Sequence, residues 1–351
     1  MSRRTATVVT AAALLVVFTA VATLIQVPYV SLSPGPVFNT IGSYDGTQLI
    51  TISGTKTYPV GGSLDMTTVA ERGGPFGGMN LVTALRGWVN PDVAVVPREV
   101  LYPDQVSSDE VAQENAAAFT SSQSDAVAAA LTYLKIPVTT KVMVAVVDND
   151  GPAKGKLEVD DVIVTVDGIP VKQASDVGKA VRAKPVGARI SFVVLRNKVR
   201  TTVVVTSAAS KADPAKPVVG ITTEESYVGP FDVTFGLEDV GGPSAGTMFA
   251  LGIIDKLTPG KLNNGRNIAG TGTIDPAGKV GPIGGIQQKM VAARDSGALL
   301  FLAPADNCND VAGHVPDGLT VVKIETLSAA VTAVDRWSHA AAGAQVALPS
   351  C

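Results

Sequence analysis

Ser244 is the residue whose surroundings first suggest chemistry. It lies in the segment G-P-S-A-G at 242–246, which matches G-x-S-x-G, the turn that exposes a nucleophilic serine in many hydrolases. A serine hydroxyl becomes a good nucleophile when a neighbouring base accepts its proton. The chain has only two histidines, His314 and His339, and both are near its C-terminus. The identity of the base is therefore the first question that the sequence raises.

A Ser-His-Asp triad, as in a secreted esterase, is one answer, with His314 or His339 as the base. In that class the serine directly follows a buried strand. Here Glu238 and Asp239, followed by two glycines, separate the predicted strand from Ser244. His314 lies in the turn-like segment AGHVPDG, and His339 lies at the end of the last predicted helix. These positions favour surface histidines.

A structural explanation of Ser244 needs no catalysis. Serine is a favoured N-cap residue before a helix, and the neighbouring glycines and proline are typical of a turn. An apolar helix is predicted at 245–257, immediately after the serine. Taken alone, the G-x-S-x-G match does not exclude this explanation.

Lys289 offers a third answer. In the predicted helix GGIQQKMVAARDSG, Ile286, Ala292 and Ala293 are three or four residues away, so Lys289 lies in the middle of the apolar face. Burial of an unpartnered ammonium lowers a lysine pKa from about 10.4, and a neutral amine can act as a general base. The alternative is that the aliphatic stem covers apolar surface while the ammonium stays in water.

Two segments together resemble the proteolytic domain of Lon proteases: G-P-S-A-G at 242–246 and GPIGGIQQKMVAARDSGA at 281–298. The resemblance covers about residues 220 to 340. It implies a Ser-Lys dyad in which Ser244 attacks the scissile carbonyl and Lys289 is first base and then acid. It also implies that Thr271 orients Lys289 and that the Ser244 N–H helps to stabilise the oxyanion. The supporting positions of the serine motif are Gly242, Pro243, Ala245 and Gly246.

The chain departs from the Lon pattern in two ways. Gly241 stands where Lon enzymes usually have an acidic residue, which affects the expected gating of the site but not the dyad. No ATPase module is recognisable, because the P-loop-like segment at 272–280 has five residues between its glycines and Val280 in place of a Mg²⁺-binding Ser or Thr. We therefore expect hydrolysis without ATP, and no cofactor or metal.

The segment from about 138 to 206 resembles a circularly permuted PDZ domain of bacterial proteases, carried by GPAKGKLEVDDVIVTVDGIPV and GARISFVVLRNKVRTTVVV. Asp160 stands where the family has glycine. PDZ domains add a peptide strand to a sheet edge and bind its carboxylate with backbone N–H groups. We expect that loop at Thr140, Lys141 and Val142, although the usual glycine signature is absent there. The alternative is a PDZ scaffold or gate without peptide binding.

The N-terminus predicts a membrane anchor. No charged residue occurs from Thr5 to Val27, a length close to the roughly 20 apolar residues that cross a bilayer. Arg3 and Arg4 precede this segment, so the positive-inside rule places the N-terminus in the cytoplasm and the rest of the chain outside it. A cleaved signal peptide is the alternative, since Ala20-Val21-Ala22 resembles a cleavage site.

The predicted fold class is an α/β (α+β) Lon-type proteolytic domain, split by an inserted, mainly β PDZ domain and preceded by one transmembrane helix. The segments GGSLDMTTV and SSQSDAVAAALTYL faintly resemble the first strand and first helix of a Lon proteolytic domain. SLSPGPVFNTIG at 31–42 has the composition of a linker. The predicted divisions are the anchor at 1–28, the first protease part at 29–136, the PDZ domain at 137–208, the Lon-like domain at 209–340 and a tail at 341–351.

The composition gives weaker indications. The net charge is −3, and no run of Lys or Arg suggests a nucleic-acid partner. Cys308 and Cys351 are compatible with a disulfide or with two unrelated thiols. The predicted function is an extracytoplasmic serine endopeptidase acting on proteins or peptides, with a homo-oligomeric ring implied by the Lon resemblance. The alternatives are a PDZ adaptor with an inactive protease domain and the triad esterase.

Overall fold

The computed structural model describes residues 3–102, 107–237, 240–341 and 346–351. Glu238, Asp239 and residues 342–345 of the predicted tail therefore lie outside the described residues. The helices, in chain order, are α1 Arg3–Leu24, α2 Leu81–Val89, α3 Arg98–Leu101, α4 Ser108–Tyr133, α5 Ala174–Arg182, α6 Gly246–Leu257, α7 Ile286–Asp295, α8 Cys308–Val311 and α9 Leu327–Ser338.

The strands divide into those before, within and after the predicted PDZ segment. Before it are β1 Gln26–Val27, β2 Tyr29–Asn39, β3 Ser43–Tyr44, β4 Thr47–Gln48, β5 Ile50–Ser53, β6 Ser63–Gly73, β7 Met79–Asn80 and β8 Ala94–Pro97. Within it are β9 Thr139–Val147, β10 Val162–Val166, β11 Ile169–Pro170, β12 Arg189–Arg196 and β13 Val199–Thr206. After it are β14 Ala208–Ala209, β15 Pro217–Val218, β16 Ile221–Val228, β17 Asp232–Phe235, β18 Asn267–Gly270, β19 Thr273–Ile274, β20 Val280–Gly281, β21 Leu300–Pro304 and β22 Thr320–Ile324.

One mixed sheet is built from residues on both sides of the PDZ segment. Its six strands lie in the order β22-β21-β18-β6-β2-β8. The two parts of the chain meet where β18 runs parallel to β6, with Asn267 opposite Ser63 and Gly270 opposite Met66. Separating the two parts would leave buried peptide groups of β6 and β18 unpaired. Because such groups are costly, neither part of the chain forms this sheet alone.

The same two parts share one hydrophobic core. Leu64, Met66 and Leu131 from the first part are buried with Phe249 and Leu300 from the second. The rings of Phe119 in α4 and Phe249 in α6 pack edge to face at 5.7 Å. Burial of such side chains is the main favourable term in folding, so the core, like the sheet, joins the two parts of the chain.

The PDZ segment has its own sheet and core. Its strands lie in the order β13-β12-β10-β9-β16, so β16 at 221–228 is its last strand, beyond the limit predicted at residue 208. Phe192, Ile190 and Val144 are fully buried in this core. Asp160, which stands where the family has glycine, adopts a left-handed backbone with φ +69°. Aspartate is one of the few non-glycine residues that tolerate this conformation.

The linker predicted at 31–42 is wrong, because most of it forms β2 inside the large sheet. β2 pairs with β6 and β8, and its register with β6 shifts between Pro34 and Val37. Prolines have no N–H to donate, and the bulge is where a strand tolerates them. Gly35 in this bulge approaches Thr68 so closely that a Cβ would lie 2.4 Å from the Thr68 hydroxyl oxygen.

The long helix α4 begins at a local sequence signal. Ser107 and Glu110 form a reciprocal capping box, in which each side chain accepts a hydrogen bond from the other's backbone N–H. The helix then runs without interruption to Tyr133, before Pro137. Two residues of this helix contact the loop that contains Ser244.

Cys308 and Cys351 form a disulfide. The bond holds the C-terminal residues against the second part of the chain, where the Lys323 N–H donates to Pro349 O at 2.9 Å and Leu348 packs on the core. Disulfides persist in oxidising compartments, so the pair is compatible with an extracytoplasmic location.

Helix α1 is long and apolar enough to cross a bilayer, judged by its length and composition. Its 22 residues correspond to about 33 Å at the rise of an α-helix, close to the thickness of a hydrocarbon core. None of the helix is buried against the rest of the described chain.

The shared sheet predicts that a fragment starting at residue 218 does not fold. Without β6, strand β18 loses a neighbour and the apolar face of α6 loses Phe119 and Leu131. We expect fragment 218–351 to lack a cooperative thermal transition in circular dichroism, whereas the full chain shows one. A soluble, monomeric 218–351 fragment with a sharp transition would contradict the split fold.

Candidate active site

Ser244 and Lys289, which are 45 residues apart in sequence, meet within hydrogen-bond distance. The distance from Lys289 Nζ to Ser244 Oγ is 2.7 Å, and that from Lys289 Nζ to Thr271 Oγ1 is 3.1 Å. The Thr271 hydroxyl in turn donates to the backbone oxygen of Ser244 at 3.1 Å. The structure thus brings together the three side chains that the Lon resemblance singles out.

Lys289 is buried, with only 3% of its surface exposed. Its position on the apolar face of α7, between the buried residues Ile286 and Ala293, explains this burial. Desolvation disfavours the ammonium and lowers the pKa of Lys289 from 10.5 to about 8. No carboxylate forms a salt bridge with Lys289 in the part of the chain that the structure describes. A sizeable fraction of the amine is therefore neutral near physiological pH.

The first part of the chain holds the Ser244 loop in place. From α4, Asn115 O accepts the Gly242 N–H at 2.9 Å, and the Ser122 hydroxyl donates to Pro243 O at 3.0 Å. Gly242 has φ +85°, a conformation that favours glycine. Helix α4 therefore positions the serine loop, although it precedes that loop by more than 100 residues.

Ser244 is not the N-cap of α6. The N-cap position is held by Ala245, and no side chain caps this helix end. Within the described residues, the N–H groups of Ser244 and Ala245 donate no hydrogen bond. Two unpaired N–H groups at a helix N-terminus can stabilise an oxyanion. Gly246 begins the helix and is packed so closely that a Cβ would lie 2.8 Å from the side chains of Ile274 and Ser122.

The loop before α7 is fixed by Asn307, a residue that the sequence analysis did not single out. The buried Asn307 side chain accepts the Ile283 N–H and donates to Ile283 O, both at 2.9 Å. The loop ends at Gly285, which has φ +67° and lies against Val69. Asn307 thus fixes the loop from which α7 begins, and so helps to position Lys289 in that helix.

A cleft of about 730 Å³ opens over the dyad. Ser244 and Lys289 line it, as do Glu71 and Leu101. Several of its walls are apolar: Leu32, Phe38, Met66, Phe119, Leu237 and Val240. A cleft with these walls suits an extended peptide that carries apolar side chains next to the reacting carbonyl.

Neither histidine belongs to this site. His314 is exposed and its Nδ1 lies 3.0 Å from Ala312 O, in its own turn. His339 is exposed at the end of α9, where its Nδ1 contacts Asp335 and Ser338. The cleft around Ser244 is lined by neither residue, which removes the structural basis for a triad esterase.

The structure places Thr140, Lys141 and Val142, where the PDZ carboxylate loop was predicted, inside strand β9 and not in a loop. All three residues pair with β16, and Val142 also pairs with Ile163 of β10. This position in a strand agrees with the missing glycine signature near Thr140.

β16 is an edge strand of this sheet, and the first part of its edge faces α5. The last part is covered by α4, where the Ser124 hydroxyl accepts the Tyr227 N–H at 3.0 Å. A groove of about 870 Å³ separates β16 from α5, lined on the helix by Val177, Gly178 and Val181. Gly220 and Ile221, at the start of β16, line its end. The segment V-V-G-I at 218–221 supplies the glycine–hydrophobic signature that was missing near residue 140, and it was available in the sequence.

The loop at 219–220 has unused donors. Within the described residues, the N–H groups of Val219 and Gly220 donate no hydrogen bond, while both of their carbonyl groups accept one. Gly220 has φ +73°, and a Cβ there would lie 2.7 Å from the Gly151 Cα. Unpaired backbone N–H groups that line a groove can bind a peptide carboxylate.

Family models match two parts of the chain. Residues 234–334 match the Lon protease (S16) C-terminal proteolytic domain, and residues 117–206 match the PDZ domain. The first range contains Ser244, Thr271 and Lys289. The second begins inside α4 and ends with β13, before the strand that borders the groove.

Curated relatives are similar over the Lon-like part. A Lon protease 2 from Herpetosiphon aurantiacus is 39% identical over 87 residues, which are 24% of this chain and 10% of that protein. Lon protease 1 from Bacillus subtilis is 36% identical over 84 residues, 23% of this chain and 11% of that protein. A mitochondrial Lon protease homolog from Drosophila melanogaster is 37% identical over 83 residues, 23% of this chain and 8% of that protein. The chain thus spans about a tenth of the length of these relatives.

Among solved structures, the PDZ domain of an SdrC-like protein from Listeria innocua is 25% identical, covering 24% of this chain and 93% of that one, with a TM-score of 0.22. The corresponding domain from Listeria monocytogenes is also 25% identical, covering 23% and 85%, with a TM-score of 0.22. By the two family matches, the chain combines a Lon protease C-terminal proteolytic domain with a PDZ domain.

Proposed function

We propose that this protein is a serine endopeptidase that uses Ser244 as nucleophile and Lys289 as general base. The observation that carries the proposal is the 2.7 Å separation of Ser244 Oγ from a buried lysine amine with a lowered pKa. The neutral amine accepts the hydroxyl proton, a role that an exposed, fully protonated lysine does not fill.

The reaction follows from this geometry in two halves. As Ser244 Oγ attacks the carbonyl carbon of the scissile bond, its proton passes to Lys289 Nζ. The N–H groups of Ser244 and Ala245 stabilise the negative oxygen of the tetrahedral intermediate. Lys289 then gives the proton to the leaving amine as the C–N bond breaks, which leaves an acyl-serine. Water hydrolyses this ester while Lys289 again accepts and returns a proton.

Thr271 and Asn307 keep the lysine in place during these steps. The Thr271 hydroxyl lies 3.1 Å from Lys289 Nζ and also 3.1 Å from the Ser244 backbone oxygen, so it couples the base to the serine loop. Asn307 holds the loop that begins α7. Such positioning matters because small displacements of a base strongly reduce its effect.

The site works without ATP and outside the cytoplasm. The P-loop-like segment at 272–280 forms the short turn between β19 and β20, which is compatible with a structural role. Helix α1 anchors the chain in the membrane with the bulk on the extracytoplasmic side, as the Arg3–Arg4 pair favours. Substrates are flexible proteins or peptides, and several copies assemble into a ring, as the Lon similarity suggests.

The PDZ groove selects substrates by their C-termini. A peptide adds as a strand to the part of the β16 edge that faces α5, and its carboxylate accepts hydrogen bonds from the N–H groups of Val219 and Gly220. Val177 and Val181 of α5 offer an apolar wall to its last side chain.

Removing either member of the dyad abolishes hydrolysis. In assays without ATP, we expect Ser244→Ala and Lys289→Met to lower kcat/KM for an unfolded protein by about 10³-fold or more, with thermal stability retained. Lys279→Met is the matched control, since Lys279 is exposed and outside the cleft. Full activity of either dyad variant, or activity that appears only with ATP, would contradict the proposal. A wild-type chain with no activity but peptide binding would favour the adaptor.

The pH dependence of hydrolysis reports the Lys289 amine. Only the neutral amine accepts the Ser244 proton, so we expect kcat/KM to rise with pH and to level off above the Lys289 pKa of about 8. Below that pH the loss is tenfold per unit. A rate that stays constant between about pH 6 and about pH 9 would exclude this lysine as the base.

Blocking the PDZ groove separates recruitment from chemistry. Gly178 lines the groove, and a Cβ there would meet only the flexible end of Arg182, so Gly178→Leu narrows the groove without moving the backbone. We expect this variant to lose binding of a fluorescent peptide with a free C-terminus. We expect the wild-type protein to bind that peptide but not the same peptide with an amidated C-terminus. Lys179→Leu, on the exposed side of α5, is the control. Equal binding of both peptides would argue against carboxylate recognition.

A further inference from the structure

Helix α2 presents its apolar stripe outward. Leu85, Trp88 and Val89 are 50%, 51% and 83% exposed. They recur at helical spacing, as the buried face of an amphipathic helix normally does. The inward side of α2 consists of the small residues Ala84 and Gly87, and Gly87 packs so closely that a Cβ would lie 2.5 Å from Val95. The helix is therefore docked with its apolar side outward.

This helix starts next to the exit of α1. The strand pair β1–β7 joins Gln26 to Asn80 and Val27 to Met79, directly after α1 ends at Leu24. The Leu81 N–H, at the first residue of α2, donates to Ile25 O. With nine residues, α2 is about 14 Å long, so all of it lies within about 14 Å of the hydrogen bond between Leu81 and Ile25.

A second short helix also lies near the end of α1. α3 is also tied to the anchor exit, because the Arg98 N–H donates to Pro28 O at 3.0 Å. Its Val100 is 67% exposed. The two helices also carry Arg86 and Arg98, while Glu99 of α3 is acidic and exposed and Asp92 between the helices is half-buried.

We propose that the surface formed by Leu85, Trp88, Val89 and Val100 lies in the headgroup region of the lipid bilayer that α1 crosses. This inference rests on the proposed membrane anchor. A span of α1 places Ile25 at the bilayer surface, and the β1–β7 pair then holds α2 at the same level. Tryptophan, aliphatic side chains and arginine are the residues that favour the membrane interface.

The contact fixes the orientation of the protease on the membrane. A single helix followed by a flexible linker would leave the folded part free to tilt, but α2 and α3 give it further contacts with the bilayer. Leu101 of α3 also lines the cleft that leads to Ser244. The part of the cleft wall that contains Leu101 is thus held near the bilayer.

Depth-dependent quenching tests the inference on the full chain in lipid nanodiscs. Trp88 and Trp337 are the two tryptophans, and Trp337 lies far along the chain beneath Arg266. With Trp337→Phe, we expect lipids brominated on their acyl chains to quench Trp88 emission by about half or more. With Trp88→Phe, the remaining Trp337 is the control and is not quenched. Phe18→Trp, with both native tryptophans replaced by Phe, reports on α1.

The outcomes separate this inference from the proposed function. Quenching of Phe18→Trp without quenching of Trp88 would overturn the interface contact and leave the anchor standing. Aqueous acrylamide would then show whether Trp88 faces water or is covered by a second copy. If emission is quenched neither from Trp88 nor in the Phe18→Trp variant, the anchor and this inference are both overturned. Hydrolysis by the same samples tests the protease separately.

Discussion

The burial of the Lys289 amine is the constraint on which the rest of the molecule depends. A lysine in water is an ammonium and has no lone pair for a serine proton, whereas desolvation brings its pKa to about 8. Burial of such a group costs free energy, so the surrounding structure must hold it there. The chain does this with the apolar face of α7, the Thr271 hydroxyl and the loop fixed by Asn307.

The serine must be held as firmly as the lysine, and for that the chain uses residues that are distant in sequence. Helix α4 fixes the Ser244 loop through Asn115 and Ser122, and the sheet pairing of β6 with β18 brings this helix and α7 into one body. The PDZ segment interrupts the sequence of this body but not its sheet. An insertion of this kind is tolerated because the inserted unit has its own core.

The sequence indicated the helices better than the strands. The capping box at Ser107 and the apolar face around Lys289 are local signals, and both are present in the structure. β2 was missed because Pro34 and Pro36 indicate a linker, and only the bulge against β6 explains how a sheet accommodates them. Residues 140 to 142, where a PDZ loop was predicted, lie inside β9, and whether a strand is central or at an edge depends on its neighbours in the sheet.

By itself, the sequence determined the chemical groups: a serine in a glycine-rich turn, a lysine on an apolar helix face and a segment able to cross a membrane. Periodicity, capping and turn composition act within a few residues, so they can be recognised without a structure. The tertiary structure decided which groups meet. The 2.7 Å contact between Ser244 and Lys289, the edge position of β16 and the outward stripe of α2 all arise from pairing and packing between distant segments. The free energy of such contacts depends on the whole core, which is why no local pattern specifies them.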